Sequence, residues 1–404
     1  MRSILKKLFL FLLIALVAVQ VPFIYRRWRL GEIADRIAAT NSTHLAAKDD
    51  AFDEYVGVIH AHTSLGGHST GTFDELISGA NDAGLDFVLM TEHWSDDYDT
   101  SALTLNGKFG RTLFVGGNEI DTADGDRFLM IPGSAEAGAM RKLSTNAVIE
   151  KLHAENRLAL ITYPEKYRSW DANFDGIEVF SLHTAATQMN RFTALGDIIW
   201  SGPSYPELTF ARQFTRPDAN LAKFDETSTK RNISLFAGTD AHSNIGFHIF
   251  GDDAGHKWIN LKLDPYRTSF RVARMHVLMP KGTPLTRESL LDAVKKGHFY
   301  TGFDSLGDTS GFSSEAIGNV NGVARQTFSA GETATAPSQL KISLPITARV
   351  VVVKDGQQVQ EMTGRELETE PVSAGVYRVE VYRTDLGPPF ESMPWIMSNP
   401  IYVR

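Results

Sequence analysis

The chain has 404 residues, 43% apolar and 22% charged, which excludes collagen-like, low-complexity and wholly disordered readings and leaves room for about two to three domains. Forty basic against 48 acidic residues give a net charge of −8, which argues against binding by phosphate neutralisation, so no nucleic-acid partner is expected. The absence of cysteine removes disulfide frameworks, thiolate metal sites and cysteine nucleophiles, and it fits either side of a membrane.

The first element is an apolar run from Leu8 to Tyr25 whose only strongly polar side chain is Gln20. As a helix it spans roughly 27 Å, enough to cross a bilayer core. No small-residue cleavage site ends the run, and Arg26, Arg27 and Arg29 follow at once. Residues 1–30 therefore read as an uncleaved transmembrane signal anchor. Arg2, Lys6 and Lys7 nearly balance those arginines, and the free amino terminus tips the count toward an inside N-terminus. The expected location is single-pass and membrane-anchored, with the catalytic domain outside the cytoplasm, periplasmic or extracellular. Residues 31–51 read as a polar juxtamembrane helix or linker.

From residue 52 onward one theme repeats: a short apolar run ends in a polar, metal-capable residue. Tyr55–Ile59 leads to His60-Ala61-His62, Leu85–Met90 to Thr91-Glu92-His93, and Leu113–Gly117 to Asn118-Glu119. Leu158–Thr162 leads to Tyr163-Pro164, Ile177–Phe180 to Ser181-Leu182-His183, and Ile233–Gly238 to Thr239-Asp240-Ala241-His242. Helical patterns lie between them: a Thr72/Glu75 capping box, Ser144 to Asn156, Pro217 to Lys230, and Thr286 to Lys296 stopped by Gly297. Strands alternating with helices predict parallel βα units. Six strand ends that all carry polar residues fit a closed ring better than an open sheet with one switch point. From 318 to 404 the runs alternate at strand length, with Asp355-Gly356 as a hairpin signal, which predicts a small β-sandwich.

Four of the twelve histidines fall between His60 and His93. Neutral imidazole suits Zn, Mn or Fe, and the carboxylates of Glu119 and Asp240 add charge and can bridge. A hydroxide held between two such cations is a nucleophile at neutral pH. The run of His60-Ala61-His62-Thr63, His68, Thr91-Glu92-His93, Gly117-Asn118-Glu119, His183 and Gly238-Thr239-Asp240-Ala241-His242 resembles the PHP (polymerase and histidinol phosphatase) superfamily over about 55–300. Five motifs in the right order, each after a strand, carry the likeness.

The resemblance implies a distorted (β/α)7 TIM-like barrel over 52–317 with two or three divalent ions, often used on phosphoesters. It places His60, His62, Glu119 and Asp240 on one ion and His68, His93 and His242 on a second. Glu119 and His183 belong to a third site. Glu119, Asp240 and His242 form the expected catalytic set, and the substrate class is a small-molecule ester. Two departures stand out: the family's His-Pro reads Tyr163-Pro164, and its Thr-Asp-His reads Thr-Glu-His. Tyr163 is either a weak phenolate ligand or a hydrogen-bond donor to substrate, and Glu165 is a possible substitute. The tail Pro394-Trp395-Ile396-Met397-Ser398-Asn399-Pro400 resembles a membrane-anchored or exported branch that includes carboxylic and carbamic ester hydrolases. Those esters are thus the alternative to a phosphoester, and a tethered binding module with a decayed site is the reading from another class.

Around these motifs, Glu92 is expected to orient a ligand histidine. Lys166 and Arg168, with Arg191, are candidate clamps for an anionic substrate. Trp94 and Trp170 follow ligand motifs and are pocket candidates, with core packing as the default. His44, His153, His276 and His298 read as structural or exposed, and His248 and His256 as loop positions near the last motif.

Overall fold

The computed structural model describes residues 2–44, 51–243, 246–251, 257–262, 264–320 and 323–404. The architecture is mixed α/β, with a long apolar N-terminal helix and many strands. That helix, Arg2–Ser42, passes through Pro22 without interruption and absorbs most of the segment expected as a linker. Its first half keeps its apolar side chains largely exposed, and it is long and apolar enough to cross a membrane. Its second half belongs to the folded body: Leu30 and Ile33 are buried in the main hydrophobic core, with Ala34 and Ile37 packed against it. His256 lies outside the described residues.

The helices obey their caps. Thr72 closes a capping box with Glu75 ahead of Phe73–Asp82, and Leu76 and Ala80 face the core. Ser144 caps Thr145–Ala154. Thr286 caps Arg287–Lys296, which stops at Gly297 in the left-handed region, where a Cβ would be strained.

The strands form two main sheets, both open, so a closed ring is not what the pairing gives. One sheet carries Phe52–Ala61, Phe87–Met90 and Thr112–Val115 in parallel, with Arg274–Pro280 antiparallel on the other side of Phe52–Ala61. The other runs Ser234–Gly238, Gly176–Ser181, Leu158–Ile161, Arg127–Ile131, Asn118–Asp121 and Glu92–His93. Antiparallel pairs break the expected all-parallel order. Asn118–Asp121 and Arg127–Ile131 form a hairpin, and Leu158–Ile161 is antiparallel to Arg127–Ile131. The two sheets meet where Ala61 bridges Ala241. The chain also passes from one to the other at Thr91 and at Gly116-Gly117, where a Cβ on Gly117 would lie 2.5 Å from the Met90 carbonyl oxygen.

The C-terminal strands extend the first sheet. Pro394–Ser398 pairs antiparallel with Phe299–Gly302, which pairs with Arg274–Pro280. The strand before the Asp355-Gly356 signal is long, Ser338–Lys354. It turns back through Asp355 and Gly356, both at positive φ, into Gln357–Glu368, as a type I′ hairpin requires.

Candidate metal centre

Two strand ends build the heart of the site. At His60 the ladder with Phe87–Met90 skips a residue, and His60 takes φ +70. The segment after Ser234–Gly238 then runs alongside: Thr239 N donates to Ile59 O, Ala241 N to His60 O, and His62 N to Ala241 O. Asp240 sits between these bonds at φ +45. Tyr163, facing Asp240, is at φ +52. Left-handed backbone at three non-glycine site residues is uncommon, and such strain clusters where side chains must be aimed.

The result is a fully buried set of donors, His60, His62, Glu119 and Asp240. Glu119 Oε2 lies 3.4 Å from His60 Nε2, 3.3 Å from His62 Nε2 and 3.5 Å from His93 Nδ1. Asp240 Oδ1 lies 3.3 Å from the same two Nε2 atoms and 3.3 Å from His242 Nδ1. These separations are long for hydrogen bonds. They match the edges of a tetrahedron around an ion with bonds of about 2.0–2.1 Å, which are about 3.3–3.4 Å. Both ring nitrogens of His62 and Asp240 Oδ1 are buried with no hydrogen-bond partner among the described residues, a state costly in an apolar interior and relieved by a cation. The residues present therefore fit a divalent ion.

Their protonation fits as well. Burial, reinforced by neighbouring imidazoles, lowers His62 and His93 to about 4 and leaves both neutral. Burial alone would raise Asp240, but the charge on neighbouring His60 holds it well below the usual carboxylate range. Neutral His62 and His93 beside an ionised Asp240 are forms that ligate, whereas His60, which the charges of Glu178 and Asp240 hold well above its ordinary range against burial, must release its Nε2 proton to an incoming ion. His60 is oriented from behind: its Nδ1 lies 2.7 Å from Glu178 Oε1, and Thr162 Oγ1 donates to the other oxygen of Glu178. A Cβ on Gly238 would lie 1.7 Å from Glu178 Oε1, so the carboxylate occupies the space that glycine leaves.

Further donors extend the cluster. His62, His93 and His242 form a second group, and His183 joins Asp240 and His242 in a third. The resemblance would instead pair His183 with Glu119. His68 is exposed and lies outside all three groups, with its ring 4.8 Å from that of His93. Tyr163 donates to Asp240 Oδ2 at 2.8 Å. Burial and the charges of Asp240 and Glu119 push its hydroxyl far above the ordinary phenol range, so it stands as a proton donor and not a phenolate. Glu165 is exposed and lines a different cavity.

Glu92 does something other than orient a histidine. It is buried and accepts from Thr63 N and Oγ1 and from Thr104 Oγ1, which fixes the Thr63–Gly67 turn. Trp94 lines the site cavity, while Trp170 packs among Tyr167 and Phe174. His276 is buried far along the sheet, between Glu54 and Asp304.

Over the donors lies a cavity of about 490 Å³ lined by His68, His93, His183, His242, Tyr163 and Trp94, and by two arginines. Arg127 pairs with Asp121 at 2.7 Å and reaches Glu119 Oε1 at 3.3 Å. Arg141 stacks over Trp94 at 4.0 Å, with Asp121 3.4 Å away and its Nε buried with no partner among the described residues. Lys166 and Arg168 are exposed and do not line this cavity. Lys166 lies 5.2 Å from the Tyr163 ring centre, and the Arg168 backbone N–H donates to Asp126. Arg191 is exposed on a helix beside the N-terminal one.

No family model matches the chain, and no curated protein matches it. A solved structure of PsfC from Pseudomonas syringae PB-5123 aligns over 59% of this chain and 88% of its own, at 13% identity and a TM-score of 0.36. A likeness this weak carries no argument about fold or function.

Proposed function

We propose that the chain is a membrane-anchored, metal-dependent hydrolase of the PHP type that cleaves a small anionic ester, most readily a phosphoester. The observation that carries this reading is the pair of carboxylate oxygens, Glu119 Oε2 and Asp240 Oδ1, each ringed by three imidazole nitrogens at 3.3–3.5 Å. In this reading the two open sheets are halves of a distorted barrel, with the Ala61–Ala241 bridge as one seam, and the donors hold two or three ions of Zn, Mn or Fe. Divalent ions bound here supply Lewis-acid charge to ester oxygens and acidify water.

The chain's own residues do the rest. Glu119, Asp240 and the histidines gather their ligand atoms into three overlapping groups. Glu178 fixes the His60 ring, and the Tyr163 hydroxyl donates a hydrogen bond to Asp240 Oδ2, which leaves Oδ1 free to ligate. Arg127 and Arg141 place positive charge in the cavity wall. That charge favours an anionic ester over the neutral carboxylic or carbamic alternative. The reading also keeps the catalytic domain outside the cytoplasm, which protease access on whole cells and inverted vesicles checks.

The test uses the full chain in detergent, because Leu30 and Ile33 of the N-terminal helix are core residues. Purified without chelator, it should carry two or more equivalents of divalent metal and hydrolyse an aryl phosphate faster than an aryl carboxylic ester. His60→Ala should lose metal and turnover while keeping its far-UV spectrum. Metal near zero after incubation with Zn or Mn, or full activity in metal-free His60→Ala, would overturn the proposal.

A further inference from the structure

The helix Arg191–Ser201 lies against the N-terminal helix at a level that matters. Gly196 faces Phe23, and a Cβ there would lie 2.3 Å from the ring, so glycine permits the close approach. Phe192 meets Phe23 edge-on, with ring centres 6.1 Å apart. Trp200 Nε1 donates to Gln20 Oε1 at 2.8 Å, which partners the one strongly polar side chain of the apolar run. Arg26 pairs with the buried Asp197 at 3.1 Å, and Asp197 also accepts from Gln213. Arg27 reaches Trp200 O and Ser204 Oγ. The contacts thus run from Gln20 to Arg27, across the end of the apolar run at Tyr25.

The outward stripe of this helix is apolar. Phe192, Leu195 and Ile199 are 66%, 41% and 62% exposed, and their i, i+3, i+7 spacing puts them on one face. A helix face turned to water is normally polar. At the same level of the N-terminal helix Val21 and Ile24 are exposed as well. Exposed Tyr25 and Trp28, with rings 5.8 Å apart, sit just past it, where aromatic side chains mark a membrane–water boundary. Arg26 and Arg27 stand at the same level, as cations near a headgroup layer do.

We infer that Arg191–Ser201 is an interfacial helix, lying in the bilayer surface beside the span with Phe192, Leu195 and Ile199 among the lipids. This rests on the membrane-anchoring reading of the N-terminal helix. A lipid surface is the occupant because the contacts to Gln20, Phe23 and Arg26 hold the stripe level with the end of the apolar run, whose exposed side chains the bilayer itself would cover. The helix carrying His183, Leu182–Thr187, ends just before Asn190 caps Arg191–Ser201. Docking this helix therefore ties one wall of the metal centre to the membrane surface.

The cysteine-free chain makes the test direct. Val17→Cys, Ile199→Cys and Glu226→Cys are each labelled with an environment-sensitive fluorophore. Each full chain is reconstituted in phosphatidylcholine vesicles with a minor share of phosphatidylglycerol. Lipids carrying a nitroxide near the headgroup or near the chain end serve as quenchers. The label at 17 should be quenched most by the deep nitroxide and that at 199 most by the shallow one, with neither acting at 226. Quenching at 17 without any at 199 overturns the interfacial helix and leaves the anchor standing. A blue-shifted label at 199 that lipids do not quench marks a protein cover, such as a second copy, and also overturns it. No quenching at 17 removes the anchor and the interfacial helix together.

Discussion

Nδ1 of His60 lies 2.7 Å from Oε1 of Glu178, on the ring edge opposite the Nε2 that faces Glu119 and Asp240. A carboxylate behind a ligand histidine fixes its tautomer and makes the outer nitrogen a better donor. Glu178→Gln keeps the volume and an acceptor oxygen but removes the charge. Zinc affinity, read by competition with a chromophoric chelator, should fall by roughly ten- to a hundredfold, a range typical of such outer partners. Unchanged affinity would mean that Glu178 only fills the space beside Gly238.

The ligand-bearing residues were legible because each closes an apolar run, and strand ends are where a sheet presents its chemistry. Glu178 was harder, since it sits inside such a run. Its signal was the charge itself, alone between Ile177 and Val179 in a buried strand. The hairpin of Asn118–Asp121 and Arg127–Ile131 has its signal in Asp124-Gly125, with Gly125 at positive φ, the same dipeptide as Asp355-Gly356. Arg127 and Arg141 carried little signal, because their place over the site depends on that hairpin and on the turn after Ala137–Met140. The long helix showed its apolar half in composition. Its polar half could not reveal that Leu30 and Ile33 insert into the core, since burial there is set by residues far away in sequence.

Arg141 tests the charge preference more cleanly than Arg127, which also touches Glu119. Arg141→Met keeps a long stem against Trp94 and removes the guanidinium. A charge-assisted hydrogen bond contributes about 1.5–3 kcal/mol, so KM for an aryl phosphate should rise by roughly ten- to a hundredfold. KM for a neutral aryl ester should not move. An equal rise for both substrates would assign Arg141 to shaping the cavity.

Tyr163→Phe removes only the donor to Asp240 Oδ2. If Tyr163 positions Asp240, metal content should persist and kcat should drop about tenfold or more, the loss expected for one hydrogen bond to a charged group. Loss of one metal equivalent instead would make Tyr163 a ligand, as its place in the missing His-Pro motif first suggested.

A separate cluster gives a pH prediction. His276 is fully buried, with Nδ1 2.6 Å from Glu54 Oε1, Nε2 3.3 Å from Asp304 Oδ1, and Thr309 Oγ1 at 2.9 Å. Burial opposes its protonation, but the Asp304 charge and the hydrogen bonds to Asp304 and Glu54 win and raise it to about 9. Asp304 is held well below its ordinary range, chiefly by His276 acting against burial. A folded-state pKa above the unfolded value of about 6.5 stabilises most below that pH, and the contribution fades as pH rises through about 9. The lowered Asp304 stabilises above about pH 4 and loses its contribution as pH falls further. Both describe one ion pair, so the cluster contributes most between about pH 4 and 6.5. The His276 shift corresponds to on the order of 3 kcal/mol. Urea unfolding of the chelated full chain should therefore show the gap between wild type and His276→Gln narrowing by a few kcal/mol from pH 6.5 to above 9. A gap that stays constant across that range would mean that His276 is neutral in the folded protein and that the ion pair does not form.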